Sequence, residues 1–396
     1  MSYLTLALAG VAVALIAGVI AARMAFARNP RTPRARFYVA VAGTILVLVV
    51  LTAIFDNLMI AANLFHYAPD TLMGLSLGLA PLEDFSYPIA VALLLPALWI
   101  FLEKGSEQRR QDFSHLVLSS RPISWINTAF PFGAAYLMTT REIDGLLIFG
   151  VLYFLIPYNF AMYGINDVFD YASDLANPRK GGIEGALLAP RLHRPTLWIA
   201  ALTNIPALVL LGLWGSGGAW FALAISGFAV VAYSAPGLRF KERPVLDSLT
   251  SSTHFVSPAV VGLLLAGADI TRTNVLILSA FFLWGMAAHA FGAIQDIRPD
   301  REAGIASTAT AFGARTTARL ALILWILAGT LMLFTPWPGP LASIIVIPYL
   351  LNCAPFWFVS DERSAATNRA WRRFIALNFF SGFLVTLLLI MEWTRS

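Results

Sequence analysis

The sequence predicts an all-α polytopic membrane protein with about twelve transmembrane helices. Of its 396 residues, 58% are hydrophobic and 12% are charged, whereas soluble domains are about 45 to 50% apolar and about 25% charged. Apolar stretches of bilayer-spanning length recur along the whole chain. They lie near residues 3–22, 37–55, 86–102, 122–139, 145–165, 196–213, 218–235, 250–267, 274–294, 316–334, 341–359 and 374–391. The expected environment of the chain is therefore a lipid bilayer.

Lys and Arg residues are confined to alternate loops. All but three of the 27 basic residues lie in the loops 23–36, 103–121, 179–194, 239–243, 298–319 and 363–373. Because positive loops are retained on the cytoplasmic side, we expect a multi-pass protein of the cell membrane with both termini outside. The first apolar run precedes its Arg residues, the reverse of signal-peptide order, so it predicts an uncleaved helix. The net charge of +5 reflects the loop bias and does not indicate nucleic-acid binding.

A charged stretch at 103–121 separates two groups of predicted helices. Three helices precede it in residues 1–102, and nine follow it in residues 122–396. Its length and polarity predict a cytoplasmic linker that contains an interfacial helix. We therefore expect two modules joined by this linker.

Two acidic clusters end apolar segments of the nine-helix module. Asn166, Asp170 and Asp174 stand four residues apart, and Asp296 and Asp300 repeat that spacing. Positions i and i+4 are neighbours on a helix surface, so we expect each set on one helical face. An unpaired Asp costs roughly 2.5 to 3.5 kcal/mol at the bilayer centre. We therefore expect both clusters near the cytoplasmic interface, where they share metal ions.

The expected metal is Mg²⁺. This ion prefers hard oxygen ligands and usually binds through one or two carboxylates together with substrate phosphate oxygens. Asp167 lies beside the first cluster and is a further candidate ligand. Basic residues that could hold a diphosphate with the metal lie close by in the sequence, and ordinary flanking charge is the alternative for each of them. They are Arg179, Lys180, Arg239, Lys241 and Arg298.

Three segments carry a family resemblance: NDVFDYASD, YSAPGLRFK and DIRPDREAGIASTATAFG. They resemble the signature loops of the UbiA-type intramembrane prenyltransferases, which are nine-helix bundles. Residues from about 115 to 396 match that length and motif order. The residues that the resemblance implies for Mg²⁺ and prenyl diphosphate are Asn166, Asp170, Asp174, Asp296 and Asp300, with Arg179, Lys180 and Lys241 on the leaving group.

The implied reaction releases diphosphate from an allylic carbon, which a carbon nucleophile of a lipid-soluble acceptor then attacks. Asn159 and Tyr163 extend the helical face of Asn166 inward, and His289 lies about two turns before Asp296. We expect Asn159, Tyr163 and His289 to line the acceptor cavity. Helix packing is the alternative for Tyr163 and His289.

The three-helix module carries a second acidic signature. Glu83 and Asp84 lie in APLEDFSYP, and Asp56 precedes an aromatic stretch with Phe65 and Tyr67. This pattern resembles one subunit of the heterodimeric carotenoid cyclases. Cyclisation needs proton delivery or removal, so the three acids are candidate catalysts, and capping of a turn is the alternative for Glu83 and Asp84. Because the chain holds one such unit, a second cyclase subunit polypeptide is implied.

The fusion of these two modules resembles the lycopene elongase subgroup of the prenyltransferases. The resemblance implies dimethylallyl diphosphate as donor and lycopene or a related carotenoid as acceptor, with the N-terminal domain contributing to end-group cyclisation. A quinone precursor, a porphyrin or a glycerol lipid remain alternative acceptors. A transporter is a remote alternative, because transport sites lie near the membrane midplane whereas these carboxylates cluster at one face.

Overall fold

The structure is a computed structural model that describes residues 3–28, 34–65, 67, 72–102, 107–171, 175 and 187–395. The chain divides into two compact units, Met1–Asp112 with Trp393–Ser396, and Phe113–Glu392. In the described ranges, ten helical segments are long and apolar enough to cross a membrane. The helices Tyr3–Arg28 and Ile126–Thr140 cover the other two predicted positions. The predicted all-α, multi-pass architecture is confirmed.

The first unit is built from long apolar helices and one short hairpin. Helix α1 packs closely on α3, because a Cβ added at Gly18 would lie 2.8 Å from the Leu93 carbonyl oxygen. Small residues permit such close approach of helices in membranes, and Ala21, Ala22 and Ala97 continue this contact. The helices are α1 (Tyr3–Arg28), α2 (Arg34–Ala61) and α3 (Ser86–Leu102). Helix α4 (Glu107–Ser119), at the predicted interfacial position, contains the boundary between the units after Asp112.

Asn57 near the end of α2 fixes the hairpin of the first unit. The antiparallel strands β1 (Ser76–Leu77) and β2 (Ala80–Pro81) are joined by a tight turn. Asn57 Nδ2 donates to the Leu77 carbonyl at 2.9 Å, and Asn57 Oδ1 accepts from the Leu79 N–H at 2.6 Å. The 3₁₀ turn Leu82–Phe85, which carries the acidic pair, follows β2 directly. Asn57 thereby fixes the hairpin from which that turn begins.

The second unit contains eleven further α-helices among the described residues. They are α5 (Ile126–Thr140), α6 (Gly145–Leu155), α7 (Pro157–Phe169), α8 (Pro190–Trp214), α9 (Gly217–Ser234), α10 (Leu246–Leu265), α11 (Arg272–Ala293), α12 (Ile297–Glu302), α13 (Thr308–Met332), α14 (Ile347–Cys353) and α15 (Asn368–Trp393). The predicted span 341–359 is formed by α14 between 3₁₀ segments Gly339–Val346 and Ala354–Phe356.

Two hydrophobic cores organise the second unit. One joins α5 to α10 around Phe132, Phe154 and Tyr158. The other joins α11 to α15 around Phe291, Trp325 and Tyr349. Helix α10 packs against both α5 and α11 and so links the two halves. The first acidic segment ends α7 of the first core, and the second follows α11 of the second core, so each half contributes one acidic segment.

Proline divides two of the predicted continuous helices. Pro157 separates α6 from α7 within the predicted span 145–165, because it has no N–H for the preceding turn. Pro299 has the same effect in the second acidic segment, since it cannot donate to the Gln295 carbonyl. Asp296 therefore lies in a 3₁₀ turn, Ile294–Asp296, whereas Asp300 lies in the short helix α12. The expected single helical face of this pair is replaced by two short elements.

Candidate active site

The first acidic segment ends helix α7. Asn166 and Asp167 lie in its last turn, and the Asp170 N–H donates to the Asn166 carbonyl at 2.9 Å, which makes Asp170 the C-cap. Asn166 Oδ1 accepts a hydrogen bond from Ser234 Oγ at 2.9 Å, and this bond orients its amide. Asp170 is 6% exposed. Three predicted members lie outside the described residues: Asp174, Arg179 and Lys180.

Arg121 holds both carboxylate oxygens of Asp167. Its Nη1 donates to Oδ2 at 2.9 Å and its Nη2 donates to Oδ1 at 2.7 Å. Both side chains are buried, with exposures of 8% and 0%, so the pair is a desolvated bidentate ion pair. The guanidinium also lies 5.4 Å from the Tyr163 ring centroid. This geometry favours a positioning role for Asp167 over the expected metal ligation.

The loop between α9 and α10 brings two basic side chains to Asp170. Gly237 and Arg239 adopt left-handed backbone conformations, with φ of 87° and 41°, and these values form the tight turn. Arg239 Nη2 lies 3.7 Å from Asp170 Oδ1 and also pairs with Glu242. Lys241 Nζ forms an ion pair with the same Asp170 oxygen. Two of the predicted diphosphate-binding residues therefore lie at the first acidic segment.

Lys241 lies between the two acidic segments. Burial lowers its pKa to about 8, although the nearby carboxylates of Glu242, Asp300 and Asp167 oppose that change. Since this pKa is above 7, the ammonium group is mostly protonated at neutral pH. The same interactions place Asp300 within electrostatic range of the lysine that pairs with Asp170.

The second acidic segment is fixed by its own cap. Helix α12 ends at Glu302 and is followed by the cap residue Ala303 and by Gly304 at φ 71°, and the Ile305 N–H donates to the Asp300 carbonyl at 2.8 Å. This bond from the second residue beyond the helix end is the one formed in a Schellman cap, in which glycine avoids the strain of a left-handed conformation. Asp296 and Asp300 are both partly buried. Asp300 lies within electrostatic range of Lys241, which pairs with Asp170, and this supports the predicted convergence of the two acidic segments.

The two acidic segments carry oxygen donors that suit a hard divalent cation. Asn166, Asp170, Asp296 and Asp300 supply amide and carboxylate oxygens, the donor types that Mg²⁺ prefers. Within the part of the chain that the structure describes, no three His, Cys, Asp or Glu side chains group tightly enough to form a metal site alone. Substrate phosphate oxygens complete such sites in other proteins, so the donor set fits a metal that binds together with a diphosphate.

Asp247 connects the loop between α9 and α10, which carries Arg239 and Lys241, to the second half of the bundle. Its Oδ2 accepts from the Thr308 N–H at 2.6 Å, and its Oδ1 accepts from the Ser248 N–H at 2.6 Å and from the Thr308 hydroxyl. Thr308 Oγ1 in turn accepts from the Val245 N–H at 2.7 Å. Asp247 is fully buried at the N-terminus of α13, where the helix dipole stabilises negative charge. This connection fixes the end of the loop that carries Arg239 and Lys241.

The side chain of Asn159, which we expected to line an acceptor cavity, forms hydrogen bonds between helices instead. Its side chain is fully buried, and Nδ2 donates to Thr128 Oγ1 at 2.6 Å and to the Phe154 carbonyl at 2.8 Å. A third donation reaches the Leu155 carbonyl at 3.1 Å. These carbonyls lie at the break before Pro157, where the regular backbone donors are lost. Asn159 thus stabilises the junction of α6 and α7, and these contacts favour a structural role over the expected cavity role.

His289 belongs to a polar chain inside the bundle. Its Nε2 lies 3.1 Å from the Tyr233 hydroxyl, and its Nδ1 lies 3.2 Å from Ser248 Oγ. Tyr233 also lies within electrostatic range of Asp300 and Tyr163. The expected cavity residues Tyr163 and His289 therefore both lie near Tyr233, which is within electrostatic range of Asp300. This grouping supports their predicted position beside the acceptor.

Arg298 is exposed and lies within electrostatic range of Glu362. The neighbouring Arg301 is held elsewhere, because its Nη1 lies 2.8 Å from Asp361 Oδ2 and its Nη2 donates to the Thr310 carbonyl at 3.0 Å. Arg239 and Lys241 therefore contact the first acidic segment, whereas the described neighbour of Arg298 is Glu362.

The acids of the first unit form a separate group. The Asp84 Oδ2 atom accepts from the Tyr67 hydroxyl at 2.5 Å, and the Asp56 carboxyl group lies within electrostatic range of Asp84. Glu83 Oε1 accepts from the Met73 N–H at 2.6 Å. Asp56, Glu83 and Asp84 are all buried. The structure thus brings Asp56 to Asp84, although they are far apart in the sequence.

These features define a membrane-embedded helical bundle in which each half contributes one acidic segment. The family model of the UbiA prenyltransferase family matches residues 128–383, and the chain belongs to this family. The predicted resemblance of the larger module is therefore confirmed.

Two relatives show how much of the chain such proteins share. The C(50) beta-cyclic carotenoids biosynthesis protein LbtBC of Dietzia sp. (strain CQ4) is 45% identical and covers 97% of this chain and 95% of its own length. A lycopene elongase/hydratase of Corynebacterium glutamicum is 51% identical and covers 69% of this chain and 96% of its own length. The first match therefore extends over both units, whereas the second accounts for about the length of the larger unit.

Solved structures agree in fold. A UbiA homologue from Archaeoglobus fulgidus bound to DMAPP and Mg²⁺ superposes with a TM-score of 0.52 at 19% identity, covering 67% of this chain and 98% of that one. A digeranylgeranylglyceryl phosphate synthase gives a TM-score of 0.53 at 17% identity, covering 72% of this chain and all of that one. At such identities, the likeness concerns the bundle architecture.

Sequence reasoning did not identify Arg121, Asp247 and Tyr233 as site residues. Arg121 looked like ordinary cytoplasmic flanking charge, and its partner lies 46 positions away. Asp247 did carry a usable signal, because a charged residue beside an apolar helix requires a compensating partner. Tyr233 carried none, since aromatic residues are common throughout this chain.

Proposed function

We propose that the chain transfers a dimethylallyl group from dimethylallyl diphosphate to the ends of lycopene. The observation that carries the chemistry is the placement of Lys241, which pairs with Asp170 and lies within range of Asp300. The acceptor is supported by the relatives named for lycopene elongation and for C(50) carotenoid biosynthesis. Together they support a fifty-carbon carotenoid as the product.

In this proposal, Asn166, Asp170, Asp296 and Asp300 hold Mg²⁺, and Asp174 outside the described residues joins them. Asp167 is omitted because Arg121 engages both of its oxygens. Magnesium, when bound, neutralises charge on the diphosphate and thereby makes it a better leaving group. The amide of Asn166 is already oriented by Ser234 for such a contact.

Lys241 and Arg239 hold the leaving diphosphate through their positive charges. Their present partner, Asp170, keeps both side chains at the acidic segment before the substrate arrives. Donors fixed in advance stabilise charge that develops in the transition state more effectively than donors that must reorganise. We include Arg179 and Lys180, from outside the described residues, in the same role. Arg298 stays the weakest member of the predicted set.

The bond changes in the proposed reaction are simple. The allylic C–O bond breaks, and the terminal double bond of lycopene supplies the electron pair for the new C–C bond. A tertiary carbocation remains on the acceptor, and it is resolved by loss of a proton, by addition of water or by ring closure. Tyr163 and Tyr233 lie beside the acidic segments, where aromatic rings stabilise a nearby cation by roughly 0.5 to 2 kcal/mol. The two hydrophobic cores keep bulk water from that cation.

The direct experiment supplies membranes that contain the full chain with labelled dimethylallyl diphosphate and lycopene. Wild-type membranes should release diphosphate and form labelled carotenoid, whereas Asp170→Asn and Asp300→Asn should each lose at least about a hundredfold in rate. That loss corresponds to about 2.7 kcal/mol of transition-state stabilisation. The matched control is Asp269→Asn, which alters an exposed loop carboxylate away from both acidic segments. Full turnover in both site variants would reject the site.

The same assay decides the acceptor. Quinone-ring precursors, porphyrins and glycerol lipids are offered in place of lycopene, with label followed into each product. The proposal expects label in carotenoid alone. Label in one of the other acceptors, with none in carotenoid, would leave the prenyltransfer chemistry intact and reverse the choice of acceptor.

We further propose that the chain resides in the cell membrane with its prenyltransferase site facing the cytoplasm and both termini outside. The strong bias of Lys and Arg to alternate loops supports this orientation. Cys353 is the single cysteine and is fully buried, so new cysteines can be labelled selectively. A cysteine at Glu142 should react with an impermeant maleimide in intact cells, and one at Glu242 should react only after lysis. The opposite pattern would reverse the topology.

A second proposed activity belongs to the first unit, which we propose contributes to cyclisation of the carotenoid ends together with a second cyclase subunit polypeptide. The buried acids Asp56 and Asp84 support it, as does the Dietzia relative named for beta-cyclic products, which extends over 97% of this chain. In a lycopene-producing host, the chain alone should give acyclic elongated carotenoid. Co-expression with the second three-helix polypeptide of a two-subunit carotenoid cyclase should add rings, and persistent absence of rings would remove this activity.

A further inference from the structure

A stripe of partly exposed residues runs along α11 towards the second acidic segment. Met286, His289 and Ala293 are spaced by three and four residues, which places them on one helical face, and Asp296 follows three residues later. Every other residue from Gly285 to Ile297 is buried. The surface that this stripe retains is therefore confined to one side of the helix and leads to Asp296.

His289 shows which way the stripe faces. Its Nε2 lies 3.1 Å from the Tyr233 hydroxyl of α9, and its Nδ1 lies 3.2 Å from Ser248 Oγ of α10. Because both partners belong to neighbouring helices of the bundle, the stripe opens onto an internal space and not onto lipid. Ionisable side chains inside a membrane bundle are costly and usually mark a function.

The Tyr233–His289 pair lies next to the candidate active site. Ser234, the residue after Tyr233, donates to Asn166 Oδ1 at 2.9 Å. Along α11, seven residues separate His289 from Asp296, which corresponds to a rise of about 10 Å. The pair thus lies farther into the apolar bundle than the acidic segments. A prenyl diphosphate bound at those segments would extend its hydrocarbon part in this direction.

Ser248 fixes the imidazole ring of His289. Its N–H donates to Asp247 Oδ1 at 2.6 Å, and Asp247 Oδ2 accepts from the Thr308 N–H at the start of α13. Ser248 is buried, so its hydroxyl is held at Nδ1. The hydrogen bond at one ring nitrogen sets the role of the other nitrogen. When Nδ1–H donates to Ser248, Nε2 is an acceptor for the Tyr233 hydroxyl.

We infer that Tyr233 and His289 remove the proton that ends the prenyl transfer, with Tyr233 as the catalytic residue and Ser248 as a positioning residue. The inference rests on the proposed transfer to lycopene, which leaves a tertiary carbocation on the acceptor. A C–H bond beside the cationic carbon breaks, and its electron pair forms a new double bond. The proton passes to the Tyr233 oxygen as the Tyr233 proton passes to Nε2 of His289. The imidazolium then returns a proton to the released diphosphate.

This pair has a specific consequence for the product. A cation that loses its proton promptly becomes an alkene, whereas a cation that persists can add water and become an alcohol. Tyr233 and His289 thereby favour the alkene. If the released diphosphate alone removed the proton, the ratio of the two products would not depend on either side chain.

The test uses membranes that contain the full chain, labelled dimethylallyl diphosphate and lycopene, without a second cyclase polypeptide. Wild-type membranes should form mainly the alkene, and mass spectrometry separates it from the alcohol, which is heavier by one water. In Tyr233→Phe and His289→Gln, the ratio of alcohol to alkene should rise at least tenfold. The matched control is His254→Gln, because His254 packs edge-on against the same tyrosine ring at 5.3 Å between centroids and is 3% exposed. It should keep the wild-type ratio.

Ser248 supplies the test of positioning. Ser248→Ala should raise the ratio of alcohol to alkene severalfold, and Ser248→Thr should restore it, because threonine returns the hydroxyl to Nδ1. A loss of folded protein would slow the transfer in each variant without changing this ratio, and thermal unfolding of the same variants measures that loss separately.

The outcomes separate the inference from the proposed function. A wild-type ratio in both Tyr233→Phe and His289→Gln would overturn the inference and leave prenyl transfer to lycopene intact. Alcohol as the main wild-type product, or a changed ratio in His254→Gln alone, would also overturn it. If wild-type membranes form no labelled carotenoid, the proposed function fails, and the inference fails with it.

Discussion

The buried Arg121–Asp167 pair offers the most quantitative prediction. Replacing Arg121 by Met removes the guanidinium that holds both Asp167 oxygens, and it leaves a carboxylate with 1% exposure in the bundle. Removing one partner of a buried ion pair costs about 3 to 5 kcal/mol, because the remaining charge is uncompensated. Each kcal/mol shifts the midpoint temperature of thermal unfolding by about 2 to 4 °C in a chain of this order of size, so that temperature should fall by roughly 6 to 20 °C.

The assay is thermal unfolding in detergent, followed through the fluorescence of the 11 tryptophans. The double variant Arg121→Met with Asp167→Leu should recover most of the loss, because it removes both charges and fills the space with apolar atoms. Arg272→Met, at an exposed position, is the matched control and should change the midpoint little. If Arg121→Met unfolds no earlier than the control, the pair does not stabilise the site.

Three further predictions concern the same region. Gly304→Ala should lower the free energy of unfolding by about 1 to 2 kcal/mol, since its φ of 71° strains any residue with a Cβ. The KM for the prenyl donor should rise severalfold in the same variant. An unchanged KM would show that this cap does not position the site. Thr308→Val should lower the free energy of unfolding by about 1 to 3 kcal/mol, because the Val245 N–H loses its acceptor. The control is Thr203→Val, which alters an exposed hydroxyl bonded within its own helix. It should change the free energy of unfolding very little in the same measurement. Chelation of divalent ions should abolish labelled carotenoid, and added Mg²⁺ should restore it; transfer that persists in excess chelator would exclude the metal.

The sequence predicts the helices well because a bilayer imposes a simple rule. A segment that crosses it must be long and apolar and must satisfy its own backbone groups. That rule locates the spans and, through the loop charges, gives an expected orientation. It does not locate breaks inside a span, such as the one at Pro157, where the side chain of Asn159 replaces lost donors.

The candidate site follows the sequence in part. Four-residue spacing identifies the acidic segments, and the structure places Lys241 between them as the basic loop suggests. Spacing does not reveal which carboxylates already have partners. Asp167 and Asp170 differ by three positions, yet one is held by Arg121 and the other meets the basic loop. Such long-range pairings depend on how distant helices pack, which local periodicity does not encode.

The most direct measurement is the affinity of the purified chain for dimethylallyl thiolodiphosphate, an unreactive analogue of the donor, in the presence of Mg²⁺. If both acidic segments bind one diphosphate, Asp170→Asn and Asp300→Asn should each weaken binding of the analogue by at least about tenfold, or about 1.4 kcal/mol. The control Asp269→Asn should leave this affinity unchanged. Wild-type affinity in either site variant would contradict a single site shared by the two halves of the bundle.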